Sequence, residues 1–244
     1  QHKDKYTFAL NESTLLYNCK RGSCGTSGTF KQLLREYGEM VEKNYELHRS
    51  APKVFKVPAS KIQPAGKKVA DYLELRRISR KIWEHYGVGE VNGNIALPYY
   101  EDGKLVLMKF RAPQKHDGKG PKAWREEGGK AVFWGMDKCD FSRPLTICEG
   151  EMDMLALAEC GVVNVTSVPS GAEDLSCVDN CWDWLKQFDK IILFGDTDEA
   201  GKEMVKKLVY KLGEDRCYTV ENKYKDANEL LFKEGPEAVR EVIE

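Results

Sequence analysis

Two acidic clusters carry the residue types that could do chemistry. The first is Glu149-Gly150-Glu151-Met152-Asp153, directly after the apolar run Leu145-Thr146-Ile147-Cys148. The second is Gly195-Asp196-Thr197-Asp198-Glu199-Ala200-Gly201, directly after Ile191-Ile192-Leu193-Phe194. Each short apolar run reads as a buried strand, so Glu149 closes one strand and Asp196 leaves another. Gly150 permits a tight turn, and Asp153 then falls in the first turn of a helix. On an extended segment residues two apart face the same way, so Asp196 and Asp198 can converge on one ion. Carboxylates gathered in this way repel one another unless a hard, oxygen-loving divalent cation sits among them, above all Mg²⁺ or its substitute Mn²⁺. Either cluster taken singly also reads as helix N-caps and solvated loop acids. Two clusters, each at a strand exit and each followed by a helix, favour the metal reading.

The elements that must position these acids follow from periodicity. After Pro144, strand-like runs at 145–148, 164–168, 191–194 and 217–220 alternate with helical stripes around 154–160, 182–188 and 204–212. That rhythm predicts an α/β domain with a mainly parallel sheet, over residues 144–244. Ligands of open α/β sheets gather at the carboxyl ends of the strands, where both acidic clusters fall. Upstream, residues 71–85 carry the apolar stripe Tyr72, Leu75, Ile78, Ile82, Trp83 and read as one helix. The segments 94–99 and 104–111 flank Glu101-Asp102-Gly103 and read as a β-hairpin. Residues 112–130 are rich in Lys, Gly and Pro and read as loop. Together residues 71–143 make a small basic α+β subdomain, residues 51–70 a linker, and residues 1–50 a turn-rich start followed by a helix.

At this point the sequence resembles a known family. Glu149 through Asp153, followed by Asp196-x-Asp198-x-x-Gly201, resembles the Toprim domain shared by bacterial-type primases, topoisomerases and some nucleases. Lys225-Asp226-Ala227-Asn228-Glu229-Leu230 is similar to a short segment after the last core strand of primase-type members. Ser167-Val168-Pro169-Ser170-Gly171-Ala172 resembles the equivalent turn of phage primase-helicases and their mitochondrial helicase relatives. The resemblance implies that Glu149, Asp196 and Asp198 are catalytic and hold Mg²⁺ or Mn²⁺, with Asp153 a further metal position or a stabilising charge at a helix start. It implies a DNA primase that joins ribonucleotides on single-stranded DNA by two-metal nucleotidyl transfer in DNA replication, of the phage primase-helicase kind. A Toprim nuclease and a non-catalytic template-binding module are the alternatives.

The amino-terminal order His2, Tyr17-x-Cys19 and Cys24-Gly25-x-Ser27-Gly28 is similar to the second part of a primase zinc ribbon. The implied Zn²⁺ site is His2, Cys19 and Cys24 with a first ligand lying before Gln1, so the ribbon here is partial and Zn²⁺ belongs to the full-length protein. The Cys19–Cys24 gap is wider than the family's usual closing pair. Lys109 and Arg111 alternate on the presumed strand, and Lys115 and Lys122 follow, with Trp124 among them. The resemblance makes Lys109 and Arg111 ligands of triphosphate and template, with Lys115, Lys122 and Lys225 in support. A charged hairpin edge is the plainer explanation of any one of them.

Composition sets the outer bounds. Of 244 residues, 41% are hydrophobic and 32% charged, which excludes a disordered polyion. No run approaches the roughly 20 apolar residues of a membrane span. There is no secretory leader pattern, so a reducing cytoplasm is the expected setting, and the phage resemblance implies an infected bacterial cell or its nucleoid. The start at Gln1 suggests a piece of a longer protein, and with no Walker phosphate loop it is expected to carry no helicase motor itself; the resemblance implies a replicative helicase, either fused downstream or as a separate chain. The net charge of −1 hides an asymmetry. Residues 1–144 hold 27 Lys+Arg against 17 Asp+Glu, and residues 145–244 hold 11 against 22, giving +10 and −11. A basic half set against an acidic half points to nucleic acid.

Overall fold

The computed structural model describes residues 8–11, 16–19, 26–36, 54–113, 122–171 and 173–243. They form three sheets. Strands β1 (Phe8–Asn11), β2 (Leu16–Cys19) and β3 (Ser27–Thr29) make a small antiparallel sheet, followed by helix α1 (Phe30–Glu36). Residues 54–66 then run extended along the next sheet, where Gln63 and Glu90 exchange backbone hydrogen bonds.

The stripe at 71–85 forms two helices rather than one, α2 (Lys67–Glu74) and α3 (Arg80–His85). Arg77 adopts a left-handed conformation between them, at φ 59°, and so ends α2 before the apolar period runs out. The hairpin forms as expected from strands β5 (Asn94–Glu101) and β6 (Lys104–Arg111). Its turn residues Asp102 and Gly103 both have positive φ, 50° and 73°, the geometry that lets a two-residue loop follow the strand twist. β4 (Gly89–Val91) pairs with β5. The loop expected at 112–130 contains a further edge strand, β7 (Ala123–Arg125), so the sheet order is β4-β5-β6-β7. Lys and Gly around it mask a three-residue strand that takes its order from pairing with β6.

The carboxyl-terminal part contains strands β8 (Leu145–Cys148), β9 (Val165–Ser167), β10 (Ile191–Phe194) and β11 (Cys217–Thr219) in the order β11-β10-β8-β9, all parallel. Helices α4 (Glu151–Glu159), α5 (Ser176–Asn180), α6 (Trp182–Leu185), α7 (Glu199–Leu212), α8 (Ala227–Glu234) and α9 (Pro236–Ile243) complete it. The stripe at 182–188 gives only the single turn α6, with Phe188 buried beyond its end. Every residue of β8 and β10 is buried, as continuous apolar runs in a covered parallel sheet require.

The two larger sheets share one core. Trp134 is 1% exposed; its indole N–H donates to the Pro98 carbonyl on β5, while its backbone exchanges hydrogen bonds with Ser167 on β9. Among the described residues no helix is long and apolar enough to cross a membrane.

Candidate active site

The strand order fixes where the acids meet. β8 connects to the edge strand β9 on one side, and the chain then crosses to β10 on the other, so β8 and β10 flank the point where winding reverses. Cys148 is paired with Phe194, which sets Glu149 and the Gly195-Asp196 pair side by side at the carboxyl end of the sheet.

Glycines hold this edge tight. A Cβ on Gly201 would stand 2.3 Å from the Asp196 carbonyl oxygen and 2.6 Å from its nitrogen, so the first turn of α7 packs directly on the Asp196 backbone. Asp198 is the N-cap of α7 and accepts from the Gly201 N–H at 3.0 Å. The segment after β11 is tied to the same loop, since the Thr197 N–H donates to the Lys225 carbonyl at 2.8 Å. That bond brings Lys225 Nζ to 3.7 Å from Asp198 and 4.0 Å from Asp196. Asp226 caps α8, accepting from the Glu229 N–H, and Asp153 accepts from the Asn228 N–H at 3.2 Å.

The electrostatics record the crowding. Burial, then Glu149 and Asp226, push Asp196 up to about 7, against the pull of Lys225. Burial, then Asp226 and Asp196, push Asp153 up to about 8. Glu149 is raised by burial and by Asp198, and its Oε2 is buried with no hydrogen-bond partner among the described residues. An orphaned buried carboxylate oxygen beside two acids of raised pKa suits a divalent cation. Among the described residues no three carboxylate, imidazole or thiol side chains stand close enough to cage one unaided. Mg²⁺ binds through one or two carboxylates, keeps several waters and takes further oxygens from substrate phosphates. Of the acids here, Glu149 with its unpartnered oxygen and the neighbouring Asp196 and Asp198 could hold such an ion.

Basic side chains lie near these acids: Arg111 acts on Asp153 and Lys225 on Asp196. Arg111 on β6 donates from Nε to the Tyr72 hydroxyl at 2.9 Å, and Arg76 lies over the Tyr72 ring at 4.7 Å. Arg76 also pairs reciprocally with Asn228, beside Asp153. Lys122 is held below its ordinary value chiefly by Arg111, then by burial and by Lys225 and Arg76, so these four cations share one region. Lys109 is different. Its ammonium lies 2.5 Å from Glu151 Oε1 and donates to the Pro169 carbonyl at 2.8 Å. Trp124 pairs with Phe110 on the opposite face of the sheet from Lys109 and Arg111, ring centroids 5.7 Å apart. His2, Cys24 and Lys115 lie outside the described residues; Cys19 is buried on β2.

Three residues of this region do not stand out in the sequence. Asp226 sits inside a segment notable for its resemblance, but its capping role hides its field on Asp153 and Asp196. Glu151 reads as an exposed helix-start acid and is 3% exposed. Arg76 lies in an arginine pair, with nothing local to show that it turns toward the acids.

A family model described as Toprim-like matches residues 146–231, which contain the three acids. Residues 146–231 are similar to a Toprim-like domain. Around that domain, the chain is 30% identical over 261 residues to the Arabidopsis thaliana Twinkle homolog protein, chloroplastic/mitochondrial, covering 96% of this chain and 35% of that protein. It is 29% identical over 257 residues to the Arabidopsis primase homolog protein, covering 95% of this chain and 72% of that one. The chain thus spans about a third of one relative and most of the other. In fold it is similar to the primase fragment of the bacteriophage T7 primase-helicase protein, with a TM-score of 0.62, 20% identity, and coverage of 94% of this chain and 90% of that one. It is similar also to the zinc-binding and RNA polymerase domains of the Aquifex aeolicus primase, with a TM-score of 0.62, 16% identity, and coverage of 99% and 76%. At these identities the structural likeness is one of fold. The motif resemblance to Toprim-containing primases therefore extends beyond the Toprim-like domain to the architecture of the chain.

Proposed function

We propose that this chain is the polymerising part of a DNA primase, which makes short RNA primers on single-stranded DNA during phage-type DNA replication. One observation carries the reading: Glu149, Asp196 and Asp198 stand at the switch point of a Toprim-like sheet with Lys225 beside them, and Lys225 shares its surroundings with Arg76, Arg111 and Lys122. Acids beside a group of cations suit a substrate with a charged triphosphate at one end and a hydroxyl nucleophile at the other.

Mg²⁺ or Mn²⁺ bound by the three acids would lower the pKa of the attacking 3′-hydroxyl and offset charge on the phosphates. Arg111 and Lys122 neutralise the triphosphate and the template backbone. Lys225 offsets the repulsion between Asp196 and Asp198 and offers a cation to the departing phosphates. Tyr72 holds Arg76 and Arg111 in place by stacking and by its hydroxyl. The reading divides the chain into a basic subdomain over 71–143 and a Toprim domain over 144–244, with residues 1–50 reading template through Zn²⁺ in the full-length protein. The partners are single-stranded DNA, ribonucleoside triphosphates and a replicative helicase.

Incubation with single-stranded DNA, four ribonucleotides and Mg²⁺ tests it. Short RNA products that vanish in Asp196→Ala support the reading. Degraded template without RNA would make the chain a nuclease, and template binding without either product a non-catalytic module.

A further inference from the structure

The family resemblance makes Lys109 a phosphate ligand, and its surroundings point elsewhere. Its side chain is 15% exposed and that of its partner Glu151 is 3% exposed. The same Glu151 oxygen accepts from the Tyr99 hydroxyl at 2.5 Å, and Tyr99 is fully buried. Were Lys109 to swing toward a phosphate, Glu151 would be left as a buried charge without its cation, which proteins tolerate poorly. Arg111, two residues along the same strand face, donates instead to the half-buried Tyr72 hydroxyl and is the cation left for a phosphate.

The second hydrogen bond of Lys109 gives it a task. The Pro169 carbonyl belongs to the turn that follows β9, and Arg125 steadies the next residue through a 3.1 Å bond to the Ser170 hydroxyl. At Gly171 the chain turns with φ 59°, and a Cβ there would lie 3.2 Å from Glu149 Oε1. The turn is thus a wall against the Glu149 carboxylate, and Lys109 ties that wall to Glu151, the first residue of α4.

On the primase reading above, we propose that Lys109 is a positioning residue. With Tyr99 and Glu151 it pins the Pro169–Gly171 turn to the start of α4 and so fixes the Glu149 carboxylate for its cation, rather than touching the nucleotide itself. Networks of this kind around metal ligands typically change metal affinity by 10- to 100-fold when cut.

The test compares wild type, Lys109→Met, Glu151→Gln and the double variant, as full chains. Mn²⁺ binding is read by electron paramagnetic resonance without nucleotide, and primer synthesis by steady-state kinetics. Lys109→Met should bind Mn²⁺ about tenfold more weakly and lose about 100-fold in kcat, with KM for ribonucleotide within about threefold. The double variant removes the buried pair together and should regain most of the Mn²⁺ affinity. A KM raised tenfold or more with Mn²⁺ affinity unchanged, or a double variant no better than Lys109→Met, overturns the proposal. If thermal melting shows Lys109→Met unfolded, Glu151→Gln supplies the same split between kcat and KM. Should Asp196→Ala leave synthesis intact, the primase reading falls while the Mn²⁺ comparison still decides the role of Lys109.

Discussion

Asp196 shows how much one residue can reveal of its surroundings. In the unfolded chain an aspartate ionises near pH 4, roughly, whereas folding pushes Asp196 up to about 7 and Asp153 up to about 8. Between those limits the folded, metal-free protein holds more protons than the unfolded chain, so its stability must fall as pH rises from about 4 to 8. Calorimetry in chelator should show a higher Tm at pH 5 than at pH 8, and Asp196→Asn should flatten that slope. An unchanged slope in the variant contradicts the crowding of acids at the strand ends. These acids were legible because two acidic clusters each follow a four-residue apolar run and each precede a helix, whereas either cluster alone reads as helix caps. Glu151 was not legible, because its partners Tyr99 and Lys109 come from a hairpin more than 40 residues upstream. No local spacing records that contact.

At the scale of elements, α7 joins stability to the site. Asp198 is both its N-cap and a proposed metal ligand. Asn caps a helix about as well as Asp, so Asp198→Asn should hold stability within about 0.5 kcal/mol while abolishing synthesis, and Asp198→Ala should cost about 1 kcal/mol as well. Urea unfolding of both variants separates the two roles, and equal destabilisation would show that the cap does not matter. Gly201→Ala presses a methyl into the Asp196 backbone, which cannot rotate away; we expect a loss of about 2 kcal/mol or more, with activity lost as the helix start is displaced. The β8, β10 and α7 elements were readable from apolar runs and a helical stripe. β7 and the break at Arg77 were not, because a three-residue edge strand and a left-handed helix end depend on what they pack against, not on their own composition.

For the whole molecule, the charge asymmetry becomes a meeting of cations and acids near one sheet end. The basic half supplies Arg76, Arg111 and Lys122, the acidic half supplies Glu149, Asp196 and Asp198, and the buried Trp134 joins the two through Pro98 and Ser167. Template binding should therefore weaken steeply with salt. Removing one phosphate-binding cation, as in Lys122→Ala or Arg111→Ala, should shallow the slope of log K against log salt by about 0.7. Titrations of fluorescent single-stranded DNA at several salt concentrations measure it, and slopes equal to wild type would remove those residues from the template path. Primer synthesis itself is the most direct measurement: labelled ribonucleotide incorporated on single-stranded DNA with Mg²⁺ by wild type, Glu149→Gln and Asp196→Asn. The wild type should make short RNA and both variants should lose at least about 1,000-fold. Synthesis by either variant at the wild-type rate would contradict the primase reading.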